Sequence, residues 1–394
     1  MSGWATVAVR DVADVFDGPH ATPKKTEEGP WYLSISSLKR GSFDFSQSAH
    51  LSPEDLPRWT KRVMPRSGDT LFSYETRLGE AAHWSHDVDC ALGRRMGLLR
   101  PREGKVDPRY LTYAYLGPDF QRTIRDKTLS GATVDRIPVG EMPSWPILLP
   151  DLVTQRRIVE VVGSIDDLIE NNRRRVAVLE EMARAIYREW FVKFRYPGRE
   201  DVPLVDSACG PIPDGWTAGT IGDALELTYG KALKADARRG GDVAVVSSAG
   251  VVGWHDESFV DGPAIVVGRK GNVGSVHWVD GASWPIDTAY YVATDLPLRF
   301  VFEQLRRTEF SNTHAAVPGL SREGAYARPF VIPPGDVLDA FEATVDPLGV
   351  AASALATQSD NIASLRDLLL PKLVTGRIDV SALDLGALIE GRVA

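Results

Sequence analysis

The sequence predicts an α+β protein built twice: two similar mixed α/β globules joined by two long antiparallel coiled-coil helices, with pseudo-twofold symmetry. Three observations carry this. Trp4, Asp11 and Gly18 recur 212 residues later as Trp216, Asp223 and Gly230, each set opening an apolar-alternating segment that ends in a Gly turn. Gly79-Glu80-Ala81-Ala82-His83-Trp84 is echoed by Gly274-Ser275-Val276-His277-Trp278, and Ser130-Gly131-Ala132-Thr133 by Pro318-Gly319-Leu320-Ser321. Both halves then run through an apolar stretch to prolines, Pro150 and Pro333-Pro334, after which the periodicity becomes helical.

Taken in order, residues 1–150 form the first globule. Val7 to Val15 and Trp31 to Ile35 alternate as strands, Asp69 to Ser73 is a strand after the turn residue Gly68, and Tyr110 to Arg125 has helical spacing. Residues 151–194 are the first spacer helix. Pro150 keeps the preceding chain extended and Asp151 caps a run with apolar residues at Ile158, Val161, Ile165, Leu168, Leu179, Met182 and Ile186, interrupted at Asn172 and Arg175. That is a coiled-coil seam with a polar centre. Residues 195–212 are rich in Pro, Gly and acids and read as a linker. The second globule, 213–335, repeats the first with strands at Ala218 to Leu227, Val243 to Ser247, Ile265 to Val267 and Tyr290 to Val292, then a helix from Phe300 to Phe310. Residues 336–372 are the second spacer helix, with Leu338, Phe341, Val345, Leu348, Ala352, Leu355, Ile362 and Leu369 at three-four spacing, a polar centre at Gln358 and Ser359, and a kink or new start at Pro347. Residues 373–394 are a C-terminal tail. Two helices of similar length after equivalent globules are expected to pair antiparallel and close the chain into a ring.

With 394 residues and a 43% hydrophobic fraction, the chain has room for two or three domains with real cores. It contains no apolar run of about 18 residues and no basic-then-apolar leader, so secretion and membrane insertion are not expected. Its two cysteines, Cys90 and Cys209, fall at unmatched places in the repeat, which points to a reduced, cytoplasmic protein without a disulfide framework.

The net charge is -8, and no region is strongly basic: residues 1–150 carry 20 Lys/Arg against 19 Asp/Glu and residues 197–335 carry 12 against 17. Contact with nucleic acid would therefore rest on local clusters. The clearest is Gly268-Arg269-Lys270-Gly271-Asn272-Val273-Gly274, where small residues let backbone N–H groups approach phosphates while Arg269, Lys270 and Asn272 supply side-chain donors. Its counterpart, Tyr74 to Gly79, keeps one cation, Arg77. Lys231, Lys234 and Arg238 follow Gly230 as Lys24 and Lys25 follow Gly18, and Arg322 completes the candidate set.

Catalytic signatures are missing. Tyr229-Gly230-Lys231-Ala232 lacks the upstream glycine and the hydroxyl of a phosphate loop, and there is neither an Asn-Pro-Pro-aromatic clamp for a flipped base nor acidic nuclease spacing after Pro118-Asp119. His83, His86 and Cys90 are the one metal-like cluster. Helical spacing would group them, but their Gly- and Asp-rich surroundings suggest a turn. The alternatives to a DNA reader are thus a stand-alone metal-dependent nucleic-acid enzyme using these three residues, or a protein-binding coiled-coil scaffold without DNA readout.

The chain resembles the specificity (S) subunit of type I restriction-modification systems. The resemblance rests on Leu149-Pro150 followed by Gln155-Arg156-Arg157-Ile158-Val159 and Ile165 to Asn172, on Ile212-Pro213-Asp214-Gly215-Trp216, and on Leu365 through Leu370-Pro371-Lys372-Leu373-Val374-Thr375-Gly376-Arg377-Ile378-Asp379-Val380. It implies a non-catalytic subunit whose two target recognition domains each read half of a bipartite DNA site through the major groove. It also implies that the paired helices act as a ruler and dock two methyltransferase subunits, that S-adenosylmethionine is bound by those partners and no cofactor by this chain, and that restriction subunits join the full complex.

Overall fold

The computed structural model describes residues 4–131, 134–198, 202–310 and 319–382. Ala132, Thr133, Pro318, linker residues 199–201 and the tail beyond 382 lie outside the described residues. The chain divides into two compact units, one of residues 1–172 with 358–394, the other of residues 173–357. Each unit joins one globule to a part of both long helices.

In the first unit a four-stranded antiparallel sheet runs in the order Ala13–Asp17, Met96–Pro101, Thr70–Ser73, Ala81–His83. A three-stranded sheet places Thr26–Tyr32 between the antiparallel Ala49–His50 and the parallel Cys90–Ala91. Ala5–Ala8 pairs with Pro146–Leu149. The second unit repeats all three: Glu226–Tyr229, Ala289–Ala293, Ala264–Gly268, Val276–Val279; then Val243–Ser247 between Gly250–His255 and the parallel Ser283–Pro285; then Thr217–Thr220 with Pro329–Ile332. The cores repeat as well. Phe72, Tyr110, Tyr115 and Trp145 are buried in the first, and Trp216, Ile221, Phe300 and Phe330 in the second.

Three local expectations are corrected. The alternation from Val7 to Val15 is not one strand: a single helical turn, Val9–Val12, interrupts it, and Ile221–Ala224 does the same in the second unit. The repeated aspartate is the cause. Asp11 Oδ2 accepts the Ala8 N–H at 3.0 Å and Asp223 Oδ2 the Thr220 N–H at 2.8 Å, so each carboxylate holds the start of the turn. Tyr110 to Arg125 is two helices, Pro108–Leu116 and Pro118–Lys127, because the proline at 118 favours extended backbone at Gly117 (φ -67°, ψ 155°). Conversely, the second long helix, Gly335–Leu373, runs through Pro347 without a break. The hydrogen bond a mid-helix proline forfeits costs about 3 kcal/mol; burial of Phe341 and Val345 on the preceding turns offsets it.

The first long helix is Leu152–Tyr187, followed by a π-turn, Arg188–Val192, that brings both Trp190 and Phe191 into the second core. Within the first unit, Asn172 Nδ2 donates to Gln358 Oε1 at 2.9 Å, Arg366 Nη1 to Asp166 Oδ1 at 3.0 Å, and Ile158 and Val162 share a core with Leu370 and Leu373. Partner numbers rise on one helix as they fall on the other, so the pairing is antiparallel. Within the second unit Tyr187 and Trp190 lie 6.1 and 5.8 Å from the Phe341 ring.

Candidate nucleic-acid interface

In the second unit the ends of several strands gather five of the predicted residues. Arg269 and Lys270 follow the strand Ala264–Gly268, and both of their backbone N–H groups donate to the Thr288 carbonyl. The Leu320 N–H then donates to the Arg269 carbonyl, and Lys270 bridges to Gly319. This ties the segment carrying Arg322 to the turn carrying Arg269. The two guanidinium carbons lie 4.9 and 4.5 Å from the centroid of one ring, that of Tyr229, which is 47% exposed. Asn272 stands exposed in the same turn, and Lys231, two residues beyond Tyr229, rests its ammonium 4.4 Å from the Phe259 ring. Tyr290 packs 5.0 Å from Tyr229 and gives its hydroxyl to the Leu320 carbonyl; burial pushes that hydroxyl up to about 12, so it stays neutral.

Most amides of the glycine-rich turn are not presented outward as the sequence suggested. The N–H groups of Arg269 and Lys270 go to the Thr288 carbonyl beside the neighbouring strand, and those of Val273 and Gly274 close the hairpin internally. A hairpin this tight needs its own backbone donors, so the side chains carry the surface chemistry.

The other candidates sit apart or are engaged. Arg238 donates to the Val252 carbonyl at 2.6 Å and latches an edge strand, while Lys234 is exposed ahead of a short 3-10 turn. In the first unit Lys24 and Lys25 are exposed beside Glu27 and Glu28. Arg77 is a clip: Nη1 donates to the carbonyls of Ile35 and Ser36, both at 3.2 Å, and Nη2 lies 3.7 Å from Glu80.

Tyr229 was missed by sequence reasoning. Its only signal was a tyrosine directly before the repeated Gly230 at a strand end. That glycine is needed because its N–H reaches the Ala289 carbonyl and a Cβ would collide with the Ile286 carbonyl.

Equivalent positions in the first unit follow from shared backbone hydrogen bonds. Ser73 N to Glu80 O matches Gly268 N to Ser275 O, Tyr74 N to Arg95 O matches Arg269 N to Thr288 O, and Ile137 N to Tyr74 O matches Leu320 N to Arg269 O. Gly319 therefore stands in the place of Arg136, not of Gly131. His277 stands in the place of Ala82, and Trp278 in that of His83. The echoes at those two points were off register, because the loop lengths differ between the units. Asp17, Tyr74 and Glu75 then occupy the places of Tyr229, Arg269 and Lys270.

The metal-like cluster is dispersed. His83 ends one strand and Cys90 begins another, and among the described residues no three His, Cys, Asp or Glu side chains are placed to hold a metal ion. Burial, aided by Arg109, lowers His83 to about 4, and burial pushes the Cys90 thiol up to about 12. A neutral thiol is a poor metal ligand. Among the described residues no helix is long and apolar enough to cross a membrane.

No protein-family model matches the chain. Among curated proteins it is 24% identical over 241 residues to the type I restriction enzyme MjaIX specificity subunit of Methanocaldococcus jannaschii, a match covering 58% of this chain and 52% of the relative. It is 27% identical over 146 residues to the HindI specificity subunit of Haemophilus influenzae, covering 36% of this chain and 31% of the relative. These matches span about half the length of the relatives or less. In fold, the crystal structure of the S subunit of a type I restriction-modification system from M. genitalium matches with a TM-score of 0.53 at 13% identity, covering 94% of this chain and 96% of the other. The chain is related to type I specificity subunits. The fold of such a subunit accounts for both globules and both long helices, and the relatives' names give the family a specificity role.

Proposed function

We propose that the chain is a non-catalytic, sequence-specific DNA-binding subunit with target recognition domains at residues 1–150 and 213–335, each reading one half of a bipartite double-stranded target. The observation that carries this is the pair of equivalent surfaces built on identical backbone hydrogen bonds but with different side chains, Asp17, Tyr74 and Glu75 against Tyr229, Arg269 and Lys270. Two readers of different half-sites need a shared frame and divergent contacts. Joining them on one support also lets each raise the affinity of the other.

The partners follow from the same reading. The long helices leave apolar side chains exposed on both units, Val153, Leu365 and Leu368 on the first and Val178, Met182 and Val350 on the second. Two methyltransferase subunits dock there, bring S-adenosylmethionine and complete the basic channel that this acidic chain lacks; restriction subunits join them, and the complex works in the cytoplasm. Co-expression of the chain with its methyltransferase subunits, followed by a genome-wide methylation map, tests the proposal. Methylation confined to one two-part sequence is expected. Methylation without a two-part sequence, or none from an assembled complex, would overturn it.

A further inference from the structure

We infer that Arg322 reads the major-groove edge of a guanine in the half-site of the second unit, with Arg269 and Tyr229 as its positioning residues. The inference rests on the DNA-reading function proposed above and adds to it a residue and a base.

Arg269 and Arg322 place two positive charges on one tyrosine ring, and among the described residues neither forms an ion pair with a carboxylate. Like charges held together without an acid leave room for an acceptor-rich ligand. The two arginines differ in what they still have to give. Arg269 spends Nη1 on the Asp287 carbonyl at 3.0 Å and also lies 5.9 Å from the Tyr290 ring, so it is fixed to the protein. Among the described residues no hydrogen bond engages the Arg322 side chain, and its Nε is buried without a partner. A guanidinium that is stacked, oriented and unspent is a preorganised fork.

Guanine presents O6 and N7 side by side in the major groove, and a paired set of arginine N–H donors matches them. A phosphate would also accept that fork. The observations favour the base, because exposed cations already flank the site: Lys270 and Lys231 are exposed, whereas Arg322 is half-buried on Tyr229. Phosphate contacts suit mobile point charges, and base readout suits a fork with a fixed plane.

The test uses the full chain in complex with its methyltransferase subunits. Once the methylated two-part sequence is known, each of its guanines is replaced in turn by 7-deazaguanine, which keeps base pairing but removes the N7 acceptor. One guanine should weaken wild-type binding roughly tenfold. R322Q should bind the normal and the 7-deaza duplex alike at that position, and its methylation map should lose the guanine preference there alone. If R322Q does not assemble, R322K replaces it; lysine keeps the charge but lacks the planar fork, so discrimination at that guanine should fall while non-specific affinity persists. The inference is overturned if no guanine is sensitive in the wild type, or if the Arg322 variants weaken all sequences equally and lower the salt dependence, as loss of a phosphate contact would. Either result leaves the DNA-reading function standing. Only the absence of a two-part sequence would remove that function, and the inference with it.

Discussion

Asp17, Tyr74 and Glu75 of the first unit stand where the second carries Tyr229, Arg269 and Lys270, although the strands beneath them pair in the same order. In the first unit Asp17 pairs with Arg62 at 2.7 Å and His20 at 3.3 Å, and Arg95 is held by Glu75 at 2.8 Å. Cations there are neutralised; in the second unit two arginines share a ring without a carboxylate. The helix seams differ in the same spirit. The first unit closes its seam with Asp166, Arg366, Asn172 and Gln358, the second with Tyr187, Trp190, Phe191 and Phe341. Backbone hydrogen bonds and turn residues fix the frame, and side chains are then free to diverge wherever the frame does not depend on them.

Breaking each seam should test that division, and these are the largest effects expected. Phe341 is fully buried against the rings of Tyr187, Trp190 and Phe191, and Phe341→Ala should cost about 3–5 kcal/mol, independent of salt. Urea unfolding of the full chain with residue-resolved hydrogen exchange should show protection lost first between residues 173 and 357. In the first unit Asp166 receives Arg366 and the Tyr113 hydroxyl, the latter at 2.7 Å. Asp166→Ala should cost about 1–3 kcal/mol, because it leaves the buried Arg366 guanidinium with Asp367 as its one carboxylate and the buried Tyr113 hydroxyl without its acceptor. Adding Arg366→Met and Tyr113→Phe to an Asp166→Leu background should recover most of it. Failure to recover would mean that the ionic seam contributes net stability rather than only matching its own buried charges.

A hidden repeat offers a finer comparison. Arg109 and Arg299 are each the second residue of the helix that follows the core sheet, and each lies over a glycine of a long helix in its own unit, Gly163 and Gly349. The offset is 190, not 212, so the opening echo could not reveal it. Alanine in place of glycine within a helix gains roughly 1 kcal/mol from propensity. At Gly163 a Cβ would sit 3.0 Å from Arg109 Nη1, a contact that a small shift relieves, so Gly163→Ala should be near neutral. At Gly349 the Cβ would collide with the Arg299 guanidinium, which is held 3.7 Å from the Trp278 ring centre. Gly349→Ala should therefore lose about 1–2 kcal/mol net. Equal melting temperatures for the two variants would break the predicted difference between these matched contacts.

What the sequence revealed follows a physical rule. The duplication, the succession of strands along the chain and the long helices were legible because turn glycines, capping aspartates and apolar periods act locally. The helical turns at Val9–Val12 and Ile221–Ala224 were not, since Val7, Val9 and Val15 alternate as well as any strand and only the Asp11 carboxylate decides otherwise. Register across loops of unequal length was also illegible, which misplaced His277 and Gly319. Of the two arginines at the site, only Arg269 was read from charge beside glycine. Their common platform, Tyr229, is a tertiary fact: it joins chain segments that lie far apart in sequence.

The smallest expected effect concerns the two capping aspartates. Asp223 accepts both the Thr220 hydroxyl, at 2.7 Å, and the Thr220 N–H, and these hydrogen bonds hold its carboxyl below the usual carboxylate range. Asp11 has only the Ala8 N–H, because alanine brings no hydroxyl. A carboxyl whose folded pKa is depressed adds stability above its unfolded value, near 4, and loses it as the pH falls through the lower folded value. Carbon-detected NMR titration of the full chain should therefore place the Asp223 midpoint below the free-aspartate value. Thr220→Val should raise that midpoint by removing the hydroxyl while leaving the N–H in place. Ala8→Thr should supply Asp11 with the second hydrogen bond that Thr220 gives Asp223, converting the cap of the first unit into that of the second and raising the melting temperature slightly; an unchanged melting temperature would show that the two turns differ in backbone geometry and not merely in one hydroxyl.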